Sequence, residues 1–224
     1  MSKQLIAIIA AVAVALVGVL MFFQLRDDGG KALSGAADVE KLLEGVPQKG
    51  NVLGRDSAPV TVREYVDYKC PVCAAASQGV VPTIIDKYVR PGKVKLELRP
   101  IAFIGTDSET GALAGLAVAK QNKMWQFTEL MMRNQGQEHE PWITEELVTS
   151  AATQVGADKA RFTTDFHGDE VVTMYQRNRE AWPQDVPDQS TPGWVVTGPN
   201  GKSAKMSGSA PQPLLDAIEA ALPK

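Results

Sequence analysis

The sequence predicts an α/β domain behind a single N-terminal transmembrane helix. Its small mixed sheet is expected from two separated pieces, a βαβ unit and a ββα unit, with a helical block inserted between them. Three observations predict this. Residues 5–25 are an unbroken apolar run, and residues 60–101 show strand-like alternation on both sides of an alanine-rich helix. Residues 106–182 then lack strand periodicity, which returns only near Trp194.

The apolar run reads LIAIIAAVAVALVGVLMFFQL, with Gln24 as its strongly polar side chain. As a helix it spans roughly 30 Å, the thickness of a bilayer's hydrocarbon core. A cleaved signal peptide competes with this reading, but its apolar region is about 7–15 residues and ends in small residues. Here the run is longer and ends in Met21, Phe22, Phe23, Gln24 and Leu25, so residues 1–25 are expected to be a retained anchor. Lys3 lies before the span and Arg26 and Lys31 after it, a balance that does not orient it. The tail before the span is too short for a domain, which puts the folded mass on its C-terminal side.

Residues 26–50 read as linker and lead-in: the polar Arg26-Asp27-Asp28-Gly29-Gly30, an amphipathic turn near 38–43, then a loop-rich approach. Residues 51–105 hold the βαβ unit. In VTVREYV, Val60, Val62, Glu64 and Val66 alternate onto one strand face, which places an acid among valines. The helix after Cys70-Pro71-Val72-Cys73 contains Pro82, expected to kink it, and KVKLELRPI at 93–101 reads as the second strand. Residues 106–182 read as helices near 108–121, 124–134, 144–155, 158–166 and 169–182, with Ser, Thr and Asp as N-caps. Residues 183–224 give a proline-rich loop to Thr191, a hairpin of 194–197 with 203–206 around Pro199-Asn200-Gly201, and a helix over 211–222.

The chain has 23 basic and 26 acidic side chains. Only Lys3 among them precedes the end of the span, and no basic stripe suggests nucleic acid. Its two cysteines stand three positions apart at a strand-to-helix junction, the context in which C-x-x-C is a redox motif. Pro71 suits the first helical position. Cys70 then falls at the N-cap, where unpaired amides and the positive helix end favour thiolate. A thiolate there exchanges with a partner's disulfide, and Cys73, one turn inward, resolves the mixed disulfide. A structural staple is the first competitor, but so short a loop removes little chain entropy. Zinc is the second, but it needs four ligands, and His139 and His167 lack a fingerlike spacing. No metal and no organic cofactor is expected.

The segments PQKGNVLGRDSAPVTVREYVDYKCPVC, MWQFTELMMRNQ and STPGWVVTG resemble the DsbA-like branch of the thioredoxin superfamily, especially its membrane-tethered bacterial forms. With the order of elements they cover nearly all of the chain from about Val46. The resemblance implies a thioredoxin-like fold with an inserted helical subdomain, and Cys70 as the exposed nucleophile of the Cys70–Cys73 pair. It implies that the Thr191–Pro192 bond is cis and packs against the disulfide, so that Thr191 and Pro192, with Pro71 and Val72, face substrate. It also implies that Glu64, six residues before Cys70, is a buried acid assisting proton transfer. Read from the residues alone, Glu64 could instead meet water at a sheet edge. Pro-Val replaces the Pro-His of the strongest oxidants, and losing that histidine implies a higher thiol pKa and a weaker oxidant.

Trp125, Phe127, Leu130, Met131 and Met132 read as core of the helical block. Trp194 either lines a groove by the disulfide or packs in its own hairpin. His139 and His167 read as solvent-facing, and Glu145-Glu146 as first-turn acids of a helix. The expected function is an extracytoplasmic, membrane-anchored disulfide oxidase acting on cysteine-containing exported proteins. The family implies re-oxidation by a quinone-linked membrane partner. A reductase or isomerase of the same fold, and a binding or chaperone module with a structural CxxC, are the alternatives.

Overall fold

A computed structural model describes residues 32–223. The expected anchor at 5–25 and the tether at 26–30 lie outside the described residues. Among the described residues no helix is long and apolar enough to cross a membrane.

The first element, α1 (Ala36–Leu43), buries Val39 and Leu43 and carries Asp38 in its first turn and Lys41 in its last, which complements the helix dipole. Where the sequence reading leaves a loop, the chain makes a minimal hairpin of β1 (Gln48–Lys49) and β2 (Val52–Leu53). Gly50 occupies its two-residue turn at φ 60°, a region glycine enters without steric cost. β2 goes on to pair with β4, Leu53 opposite Leu96, so the sheet gains two strands too short to show alternation.

Six strands lie in the order β1-β2-β4-β3-β5-β6. They include β3 (Val60–Val66), β4 (Val94–Pro100), β5 (Gly193–Thr197) and β6 (Ser203–Ser207). β3 and β4 are parallel, and the other pairs are antiparallel. β3 is therefore flanked on both sides, with Val62 between Leu96 and Val196. That central place buries both of its faces: Val60, Val62 and Val66 on one, Tyr65 on the other.

The redox helix departs from the expected single kink at Pro82. α2 (Pro71–Gln78) stops at Gly79 (φ −109°, ψ −81°), α3 (Val80–Ile84) follows, and Ile85–Val89 forms a π-helical turn. Pro82 has no N–H for the carbonyl of residue 78 and its ring crowds that carbonyl. The interruption thus falls a turn ahead of the ring, at a glycine.

The helical block comprises α4 (Thr106–Ala119), α5 (Met124–Arg133), α6 (Glu145–Gln154), α7 (Lys159–Phe166) and α8 (Asp169–Asp185). Thr144 and Asp158 cap α6 and α7 by accepting from the Leu147 and Arg161 amides. α8 runs through Pro183 to Asp185, past the expected end at Trp182. Pro183 costs the helix its bond to the carbonyl of residue 179, but Asp185 is fixed beyond it by Arg63 (2.8 Å) and the Tyr65 hydroxyl (2.7 Å). Trp125, Phe127, Leu130 and Met131 are fully buried. On α4, Gly111 and Gly115 leave room for the Tyr68 ring, which a Cβ at either position would crowd. α9 (Pro211–Ala221) lays Leu214 and Ile218 into the core.

Candidate active site

The two cysteines sit where β3 gives way to α2. Cys70 is the N-cap residue with extended backbone (φ −75°, ψ 115°), Pro71 takes the first helical position, and the Cys73 amide donates to Cys70 Sγ at 3.4 Å. Both are free thiols. Cys70 keeps 5% of its surface exposed and Cys73 1%. The nucleophile expected to be exposed is thus open only along an edge, while Pro71 and Val72 beside it face solvent. The Thr191–Pro192 peptide bond is cis and both residues are buried, with the Cys70 thiol donating to the Thr191 carbonyl at 3.4 Å.

The two sulfurs are electrostatically unequal. A hydrogen bond from the Cys73 thiol lowers the Cys70 pKa to about 6 against the opposing effect of burial, helped by Thr191 and by the Cys73 and Val72 amides. Burial and the neighbouring Cys70 push Cys73 well above the ordinary thiol range. The Thr191 hydroxyl, buried with no other hydrogen-bond partner among the described residues, lies beside the sulfurs and favours charge on either. The arrangement therefore favours thiolate at Cys70 near neutrality and disfavours it at Cys73.

Glu64 is 3% exposed on central β3, between Leu98 on β4 and Trp194 on β5. A sheet-edge acid meeting water is ruled out by that position. Burial, then the nearby Glu129, raises its pKa well above the carboxylate range. Glu64 makes no hydrogen bond to either sulfur among the described residues. Trp194 packs in its own hairpin, its Nε1 donating to the Gly208 carbonyl at 2.9 Å. His139 and His167 are exposed, and among the described residues no cluster of His, Cys, Asp or Glu is arranged to hold a metal.

Several residues around the site escaped the sequence reading. Glu129, 1% exposed on α5, accepts from Ser77 Oγ on α2 at 2.8 Å, and burial lifts its pKa to about 7. Its signal was an acid at helical spacing between Trp125 and Met132. Asp67 takes the amides of Lys69, Phe103 and Ile104 and the Ser108 hydroxyl, fixing the turn before Cys70. Lys69 buries its ammonium on Asp107 (2.6 Å) and the Glu140 carbonyl (3.0 Å). Gln135 donates to the Tyr68 and Cys70 carbonyls. These links join segments far apart in sequence, and no local pattern announces them.

Comparison with known proteins agrees with this geometry. A family model described as thioredoxin matches residues 47–208. A probable disulfide bond formation protein D from Bacillus cereus is 35% identical over 150 residues, covering 65% of this chain and 69% of that protein. The crystal structure of oxidised BdbD from Bacillus subtilis is similar with a TM-score of 0.67 and 26% identity, covering 79% of this chain and 96% of that one. DsbA from Chlamydia trachomatis shares the fold (TM-score 0.65, 19% identity, 76% and 90% covered). The family match covers most of the chain, the redox pair included, and the chain belongs to the thioredoxin family, as a DsbA-like thiol–disulfide oxidoreductase.

Proposed function

We propose that the chain is a disulfide donor: an oxidase that passes the Cys70–Cys73 disulfide to cysteine-containing exported proteins outside the cytoplasm. The observation that carries this reading is the low pKa of Cys70, about 6, because a stabilised thiolate favours the reduced enzyme and so drives oxidation of the partner. The name of the Bacillus cereus relative, a probable disulfide bond formation protein, supports the same direction.

A substrate thiolate attacks the Cys70 sulfur of the disulfide, and Cys73 leaves as a thiolate. Cys73 is too deeply buried to keep that charge, and Glu64, whose carboxyl burial pushes well above the ordinary carboxylate range, is the acid assigned to return a proton to it and is itself re-protonated from solvent. The substrate's second thiolate then attacks its own sulfur in the mixed disulfide and displaces Cys70 as the stabilised thiolate. Two electrons have moved from the substrate dithiol to the enzyme pair. Pro71 and Val72, exposed beside Cys70, and the Thr191–Pro192 segment behind the thiol are the residues against which the substrate segment is placed. Residues 5–25 hold the domain at the membrane, where a quinone-linked partner withdraws the two electrons as the disulfide re-forms and Cys73 gives up its proton.

The test is the reduction potential, measured by equilibrating the protein with glutathione buffers and trapping free thiols. A value between about −180 and −120 mV supports the donor role, and one near about −270 mV assigns a reductase instead.

A further inference from the structure

We propose that Gln135, just beyond the end of α5, is a positioning residue of the redox centre, whose side-chain amide holds the carbonyls on both sides of Lys69 and so fixes the N-cap that carries Cys70. Its Nε2 donates to the Tyr68 carbonyl at 2.8 Å and to the Cys70 carbonyl at 3.0 Å, with Met132 Sδ at 3.3 Å. A carboxamide carries two N–H donors, and two backbone acceptors of the active-site turn receive them.

The amide is itself held in place. Asn134, the residue before it, returns its Nδ2 to the Leu130 carbonyl (2.8 Å) and the Ser34 carbonyl (2.9 Å), while its Oδ1 accepts from Ser34. Gly136, the residue after it, lies against the Trp142 ring so closely that a Cβ would come within 2.6 Å. The backbone amides of Trp142 and Ile143 are in turn tied to Asp107, the partner of Lys69. Gln135 therefore reaches the redox turn from an anchored loop and not from a free side chain.

What it touches matters to the sulfur. The Cys70 carbonyl is also the first acceptor of α2, taking the Ala74 amide at 3.2 Å, so its direction sets how the α2 amides point at Cys70 Sγ. The negative end of that carbonyl lies on the same residue as the thiolate, and a donated N–H offsets it. The chemistry required is thiol–disulfide exchange alone. The inference deepens the reading of the site but does not depend on the direction of electron flow.

The test is Gln135→Met in the full chain, which keeps the length of the side chain and removes both donors. Cys70 is titrated through thiolate absorbance near 240 nm, and the glutathione equilibrium is measured at pH 7 beside the melting temperature. The expected result is a Cys70 pKa higher by about one and an equilibrium about fivefold further towards the disulfide, as linkage requires for that rise. An unchanged pKa and equilibrium, whatever the melting temperature does, would overturn the proposal. Should Gln135→Met fail to fold, the native protein decides it by NMR. The Gln135 side-chain amide hydrogens should exchange slowly and shift between dithiol and disulfide forms, and exchange at the rate of a free amide with no shift refutes it.

Discussion

Replacing Glu129 with glutamine should change how stability depends on pH. Burial holds the Glu129 carboxyl at about 7 in place of its ordinary 4.5. Between those two values the native state keeps a proton that the unfolded chain has lost, so stability falls as pH rises from 4.5 to 7. At about 1.4 kcal/mol per pH unit, the structure sets the loss from this one group at about 3 kcal/mol. The carboxamide introduced by Glu129→Gln would retain an acceptor for the Ser77 hydroxyl, now 2.8 Å from the carboxylate, and would have nothing to titrate. Glu64, relieved of a neighbour that raises its pKa, should also ionise at lower pH, which flattens the curve further. The assay is urea unfolding of wild type and E129Q at pH 4.5 and pH 8, in the disulfide form so that the thiols are silent. The quantity to read is the difference between the two pH values, because the new amide N–H groups add the same cost at both. Wild type should lose about 3 kcal/mol more than the variant across that range. Parallel losses would show that Glu129 ionises as an ordinary exposed acid.

Three further outcomes follow from the same geometry. Alkylation of the reduced protein at Cys70 should reach half its plateau rate near pH 6 and fall below it as the thiolate takes up a proton; a midpoint above 8, followed by rapid mass spectrometry, would contradict the N-cap account. Thr191→Val removes a buried hydroxyl that has no other partner, so the Cys70 pKa should rise and the glutathione equilibrium should move a few-fold towards the disulfide. In the disulfide form, where no thiolate is present to accept from the hydroxyl, the melting temperature should hold or increase, and a lowered Cys70 pKa in the reduced form would argue against the hydroxyl's role. Gly115→Ala would drive a methyl into the Tyr68 side chain, whose hydroxyl is bonded to Thr128 Oγ1 at 2.8 Å, an overpacking that costs roughly 1–3 kcal/mol in denaturant unfolding; a neutral result would mean that Tyr68 is not held between Thr128 and α4.

What the sequence made legible was what depends on local pattern. β3 runs over Val60–Val66 as the alternation indicated, and Cys70 caps α2 because proline at the next position starts a helix. Glu64 could be placed on the apolar face, but its burial depended on β3 being central, and centrality is a property of the assembled sheet. The β1–β2 hairpin is too short to carry a period, so only its pairing with β4 reveals it. The Gly79 break was misplaced because the proline's effect is felt by a carbonyl a turn earlier. Glu129, Gln135 and Asp107 act on the site across separations of 30 or more residues, and no window along the chain brings them together.

The groups that lower the Cys70 pKa bear on the substitution of Val72 for histidine. They are neutral donors: the Cys73 thiol, the Thr191 side chain and two backbone amides. The cation next in sequence, Lys69, is turned into its own ion pair with Asp107 and offers the sulfur no free charge. At pH 7 a thiol with a pKa of about 6 stabilises the reduced enzyme roughly tenfold over an unperturbed one, and tenfold in a two-electron couple is about 30 mV. A protonated histidine at position 72 would add a full charge beside the same sulfur. A site built from dipoles alone should therefore oxidise its partners less strongly than a histidine-bearing relative of the same fold.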